Sequence, residues 1–224
     1  MPITLNELNL DEALRYMGCP PEKADPATLA LARTCGEQLL AVIRPRWAYQ
    51  VFDLNFEAAG LRLGPLLLPG EGLKDHLTGC KKAVLFCATL GGEADALIRR
   101  SQVTDMARAF ALDACAAAAV EQVCDAIEEE LKARFPGCSF PSRYSPGYGD
   151  LPLEVQSDLL ALLDAPRKVG LTSTASHILL PRKSVTAILG VADQPIQHPL
   201  RSCLDCPVRE NCGYRKTGGH CGIS

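Results

Sequence analysis

Hydrophobic and polar residues follow different periods along this chain, and the changes of period mark its elements. The longest regular stretch covers residues 105–134. There Met106, Phe110, Val120, Val123, Ile127 and Leu131 recur at three- and four-residue steps or their sums, as one buried helical stripe requires. Its middle, residues 114–119, is five alanines and a cysteine, so another backbone can approach closely. Glu121 and Glu128 to Glu130 are expected on the solvated face of this helix, and Pro136-Gly137 ends it.

Shorter helices are predicted over 5–17, stopped by Gly18-Cys19-Pro20-Pro21, and over 153–163. Another should run from Asp25 or Pro26 to 43, with Pro26 suited to a first helical turn and Pro45 lying beyond the end. Residues 47–54 alternate in places and are rich in aromatic and β-branched side chains, which predicts a strand. A hairpin-like pair, 61–63 and 66–68, turns around Gly64-Pro65. Residues 82–90 read as a buried strand ending at Gly91-Gly92, and 176–180 with 184–191 as a hairpin around Pro181-Arg182-Lys183. The chain shows no internal repeat and no low-complexity region.

Composition narrows the picture. The 224 residues suffice for one large domain or two small ones with a real core. Apolar residues make up 47% and aromatics only 5%, so that core must be aliphatic. A formal charge of −3 gives no general pull toward nucleic acid or anionic membrane. No basic-then-apolar leader follows Met1-Pro2-Ile3-Thr4, and no apolar run nears the ~18 residues that span a bilayer. The expected compartment is therefore the cytoplasm, where the eleven cysteines read as reduced thiols and metal ligands rather than disulfides.

Two segments carry candidate chemistry. The first is Arg143-Tyr144-Ser145-Pro146-Gly147-Tyr148, an R-x-x-x-G-Y followed by Gly149-Asp150-Leu151-Pro152. Pro146-Gly147 favours a type II turn, which would leave backbone N–H and C=O groups for a ligand. Arg143 could grip a carboxylate in two-pronged fashion, and Tyr148 offers a ring face to a base or a cationic sulfonium. The plain alternative is a surface turn with Arg143 and Tyr148 solvated.

The second is the tail, where Cys203, Cys206, Cys212 and Cys221 follow C-x2-C-x5-C-x8-C. Four thiolates so close suit one soft metal centre, either a tetrahedral zinc or a 4Fe–4S cluster; the alternative is four unliganded thiols. Gly213, Gly218, Gly219 and Gly222 give the backbone room, and Arg209, Arg215 and Lys216 would offset the ligand charge. Cys19, Cys35, Cys80, Cys87, Cys115, Cys124 and Cys138 are scattered in mostly apolar settings and are expected to be small core residues. Lys74-Asp75-His76-Leu77-Thr78-Gly79 only approximates a D-x-H-x-x-G cobalt-ligating pattern, because position 74 is Lys. Cobalt ligation by His76 is not expected.

From Arg143 onward the chain resembles the activation domain of cobalamin-dependent methionine synthase. The resemblance runs through Arg143 to Tyr148, Leu163-Asp164, Val169-Gly170-Leu171-Thr172, Thr174-Ala175-Ser176 and 181–187, with the Ala-rich helix upstream. Stand-alone bacterial activation-domain-like proteins are similar over a longer stretch, 14–215. The resemblance implies an α+β fold, helices packed on a twisted antiparallel β-sheet, with residues 1–200 as an activation-like domain and 201–224 as a short Cys-rich tail. It implies that Arg143, Tyr144, Ser145, Pro146, Gly147 and Tyr148 bind S-adenosylmethionine. The implied role is reductive reactivation of a corrinoid held by a partner chain, methionine synthase or another corrinoid protein, with cobalamin only on that partner. The tail would then hold an iron–sulfur cluster that relays the electron, replacing or assisting an external flavoprotein. No general acid or base is assigned, since positioning and exclusion of water should dominate such a methyl transfer.

Departures from the pattern are specific. The family carries Thr-Glu-Ser where this chain has Thr174-Ala175-Ser176. An acidic residue near the domain's start and a Tyr beyond the last strand have no clear counterparts; after Val191 the chain turns polar at Asp193-Gln194-Pro195. Two other readings follow. One is a docking module of the same fold without S-adenosylmethionine and with a structural zinc tail. The other is a zinc-stapled nucleic-acid binder, which the negative charge and sparse aromatics disfavour.

Overall fold

A computed structural model of the chain describes residues 3–196. The four tail cysteines, and with them the expected 201–224 unit, lie outside the described residues. Among the described residues, seven α-helices and seven strands build an α+β architecture, as expected. Five strands form one antiparallel sheet in the order β3-β2-β1-β4-β7. β1 (Arg46–Glu57) serves two neighbours: residues 46–53 pair with β4 (Lys82–Thr89), and residues 54–57 with β2 (Gly60–Leu63). β3 (Leu66–Leu68) pairs with β2, and β7 (Ser184–Val191) pairs along all of β4.

β4 is apolar from Ala83 to Ala88 because both faces of the sheet are covered. Val84, Phe86 and Ala88 point into one core, shared with α1 (Leu10–Tyr16), α2 (Pro26–Val42), α4 (Gly92–Thr104) and α5 (Met106–Arg134). Ala83, Leu85 and Cys87 point into a second core, shared with α3 (Glu71–His76), α6 (Gln156–Leu163) and α7 (Ala165–Val169). Val84, Leu85 and Phe86 are fully buried, each contributing roughly 1.5–3 kcal/mol by its removal from water.

α1, α2 and α5 each start at a side chain that caps them. Asn9 accepts from Glu12 N, Asp25 from Ala27 N and Thr28 N, and Asp105 from Arg108 N. Asp105 also ends α4, so α4 and α5 meet at a single extended residue.

Several expectations change. The stripe of α5 holds at Val120, Val123, Ile127 and Leu131, all buried. Met106 and Phe110 are instead exposed, at 67% and 53%. Over the first half of α5 the inward positions belong to Leu112, Cys115 and alanines such as Ala116 and Ala119, which let the flanking helices lie close. α4 is an unpredicted helix whose buried residues are only Ala94, Ile98 and Ser101. The expected hairpin of 176–180 with 184–191 does not form. β6 (Leu179–Leu180) pairs back with β5 (Thr172–Ser173), while Arg182 N is taken by Asp95 Oδ2 and Ser184 onward joins β4.

The scattered cysteines are core residues where they were expected. Cys35, Cys80, Cys87, Cys115 and Cys124 are buried, and Cys19 and Cys138 half-buried. Burial pushes the Cys80 and Cys87 thiols up to about 11 and the Cys115 thiol up to about 12.

Candidate functional site

The stem of the R-x-x-x-G-Y segment runs along the free edge of β7. Ser139 bridges Ala192 and Tyr144 bridges Ile188, both antiparallel. Extended backbone sends successive side chains to opposite faces. Tyr144 accordingly enters the core beneath the sheet, while Arg143 turns the other way, onto α5.

There the guanidinium meets three carboxylates spaced for one helical face. Arg143 Nη1 donates to Asp125 Oδ1 at 2.9 Å and to Glu128 Oε1, and Nη2 donates to Glu121 Oε2. Burial works against the guanidinium's charge, but the hydrogen bonds to Glu128 and Glu121 overcome it and hold its pKa above the ordinary arginine value. The expectation that Glu121 and Glu128 lie on a solvated face is therefore corrected: they hold Arg143, and the Glu128 side chain is only 14% exposed. Glu129 and Glu130 instead pair with Lys132 and Arg134. The spacing 121, 125, 128 was a readable signal for a shared partner. Of the five guanidinium N–H groups, these contacts use three and leave the Nε–H and one Nη2–H.

After Tyr144 the chain makes two consecutive turns. Tyr148 N donates to Ser145 O at 3.1 Å, with Pro146 second and Gly147 third at φ 86°, a type II turn as the Pro-Gly pair predicts. Leu151 N then donates to Tyr148 O, and Gly147 N closes the loop onto Leu151 O at 2.9 Å. The N–H groups of Gly147 and Tyr148 are thus satisfied inside the loop, not left for a ligand as expected. Pro146 is buried and Ser145 half-buried, whereas Gly147 is exposed and Tyr148 is 58% exposed.

A second segment braces the loop. Both Asp150 carboxylate oxygens accept from Gly72 N, at 3.2 and 3.1 Å. His76 Nε2 lies 2.6 Å from Ser142 O, and its ring centre 5.1 Å from that of Tyr144. A Cβ at Gly149 would stand 2.3 Å from Tyr144 Oη, so only glycine fits there. His76 thus supports the loop's stem.

Two other segments of the resemblance make contacts within the fold. Thr174 closes the β5–β6 turn: its N–H donates to Ile178 O, and its hydroxyl lies 2.9 Å from that of Ser176. Lys183 Nζ donates to Asp113 O and pairs with Asp113 Oδ1 at 3.0 Å, joining the residue before β7 to α5. Among the described residues no group of three or more His, Cys, Asp or Glu could hold a metal ion, and no helix is long and apolar enough to cross a membrane.

The sheet with helices on both faces makes this an α+β fold. Among solved structures the chain is similar to one described as the MetH reactivation domain bound to AdoHcy. The TM-score is 0.68 at 15% sequence identity, over 88% of this chain and 79% of that one. At that identity the likeness establishes the fold. No protein-family model and no curated protein matches the chain.

Proposed function

We propose that this protein binds S-adenosylmethionine at the Arg143–Tyr148 loop and uses it to remethylate the reduced corrinoid of a partner protein, methionine synthase or another corrinoid methyltransferase. One observation carries the reading. The R-x-x-x-G-Y segment is a double turn braced by hydrogen bonds, with an exposed Tyr148 on the turn and a half-buried Arg143 on its stem, on a fold shared with a domain crystallised with AdoHcy.

In this reading the spare Nε–H and Nη2–H of Arg143 grip the ligand's carboxylate, while Tyr148 lies against its adenine or sulfonium end. The methyl group passes from sulfur to the cobalt of the partner, whose electron pair forms the new bond, and AdoHcy remains. No side chain need gain or lose a proton, so positioning dominates. For the tail the proposal rests on the donor set alone: Cys203, Cys206, Cys212 and Cys221 suit a 4Fe–4S cluster or a zinc ion. An iron–sulfur cluster there would supply the electron, with a flavoprotein as its source, and a zinc would be structural.

Calorimetric titration of the full chain with S-adenosylmethionine tests the reading, with Arg143→Ala as control. Micromolar binding lost in the variant supports it, and no heat of binding in the parent protein overturns it. The second reading, a docking module of the same fold that does not use S-adenosylmethionine, is favoured by the three carboxylates already holding Arg143.

A further inference from the structure

α3 is short, yet it grips the R-x-x-x-G-Y loop at both ends. Near its start, Gly72 N donates to the Asp150 carboxylate. At its end, the half-buried His76 meets the stem from the side of the Tyr144 core, away from the carboxylates that hold Arg143. His76 Nε2 lies 2.6 Å from Ser142 O, and because a carbonyl oxygen only accepts, this nitrogen carries the ring proton. The His76 ring centre lies 5.1 Å from that of Tyr144, which in turn lies 6.4 Å from that of Tyr148, both within the range of favourable aromatic contacts. His76 therefore holds the residues on either side of Arg143 and reaches Tyr148 through one intervening ring. Tyr144 can pass on a shift but has little room to absorb it. It is 4% exposed, and an added Cβ at Gly72 or Gly149 would stand 3.3 or 2.3 Å from its hydroxyl.

We propose that His76 is a positioning residue for the S-adenosylmethionine site, aiming Arg143 from behind through Ser142 and Tyr144. The inference rests on the function proposed above and adds a residue to it. In extended backbone the direction of one side chain follows from its two neighbours. With the Ser142 carbonyl bonded and the Tyr144 ring packed, the backbone at Arg143 has one orientation, and its guanidinium stays against Glu121, Asp125 and Glu128. Without the His76 bond, the stem before Arg143 is held only by the Tyr144 and Ser139 bridges to β7. A guanidinium that turns loses its two-pronged grip on a carboxylate, whose geometry is strict, while its charge stays.

The test is calorimetry of the full chain with S-adenosylmethionine and with decarboxylated S-adenosylmethionine, which differ only at the carboxylate that Arg143 would grip. The parent protein should prefer the carboxylate form by about tenfold or more, the scale of hydrogen bonds between charged groups. His76→Phe keeps the ring but not the N–H. It should cut that preference severalfold, with little change for the decarboxylated ligand. His76→Gln, which offers an N–H at nearly the same place, should keep most of the preference. Urea unfolding of each variant reads stability separately. A His76 that only supports the fold would weaken both ligands alike in His76→Phe, in step with stability. That result, or a preference unchanged in His76→Phe, overturns the proposal. If the parent protein binds both ligands equally, the aiming of Arg143 fails while the binding function stands. Binding of neither removes both.

Discussion

Asp150 and Gly72, far apart in sequence, are joined by a carboxylate that accepts the glycine's N–H through both oxygens. The bond ties the two turns of the Arg143–Tyr148 loop to the start of α3. Asp150→Ala should therefore loosen the loop, costing about 1–2 kcal/mol in stability and weakening ligand binding at least severalfold. Asp150→Asn, which keeps one acceptor oxygen, should recover most of both. Thermal melts beside calorimetry would show it; binding unchanged in Asp150→Ala would mean the brace is idle.

Gly149→Ala should be more damaging. The residue sits at φ 53°, and the added methyl would fall 2.3 Å from Tyr144 Oη, which cannot retreat because its ring is buried. A loss of roughly 1–3 kcal/mol is expected, read as a lower denaturant midpoint at constant slope.

Arg143 and Glu128 should be strongly coupled. Arg143→Met leaves Glu121, Asp125 and Glu128 facing one another without their cation, at an expected cost of about 2 kcal/mol, tempered by partial exposure. Arg143→Met with Glu128→Met should recover part of that loss, since it removes the best-buried of the three charges. A double-mutant cycle in urea measures the coupling, and additive losses would contradict it.

Alkaline pH should destabilise the protein through its core thiols. Their folded pKa values, about 11 for Cys80 and Cys87 and about 12 for Cys115, lie above the ordinary thiol value of 9.0. The neutral thiol is thus favoured in the folded state, and this stability is complete below pH 9. It is lost as pH rises through 11 to 12, because the unfolded chain ionises first. The melting temperature should fall across that window, and Cys87→Ala should flatten the fall. At pH 8 the same thiols should react with iodoacetamide only after unfolding.

Ala116→Leu should cost about 1–3 kcal/mol, because the buried alanines of α5 sit where neighbouring helices approach and no space remains for a larger side chain. A variant as stable as its parent would show that the helices can shift apart freely.

Long elements with strong periodicity were legible from the sequence: α5, β1 and β4 lie within a few residues of their expected ends. α4 was not, because only Ala94, Ile98 and Ser101 turn inward, and one large apolar side chain among them draws no stripe. The pairing of 179–180 was misassigned because nearness in sequence favoured β7, while the chain's real partner lay behind it at β5. The Pro-Gly turn could be read locally. What Arg143 touches could not: the carboxylates at 121, 125 and 128 announce a shared cation, but only the alternation of the stem along β7 decides which residue meets them.

The stem that carries Arg143 and Tyr144 is also the cover of the sheet's last strand. Peeling it away would unmask a row of unsatisfied ladder groups on β7, an invitation to pairing between molecules. Damage to this site should therefore announce itself as self-association as well as lost affinity, and the loop has little freedom to drift in shape without endangering solubility.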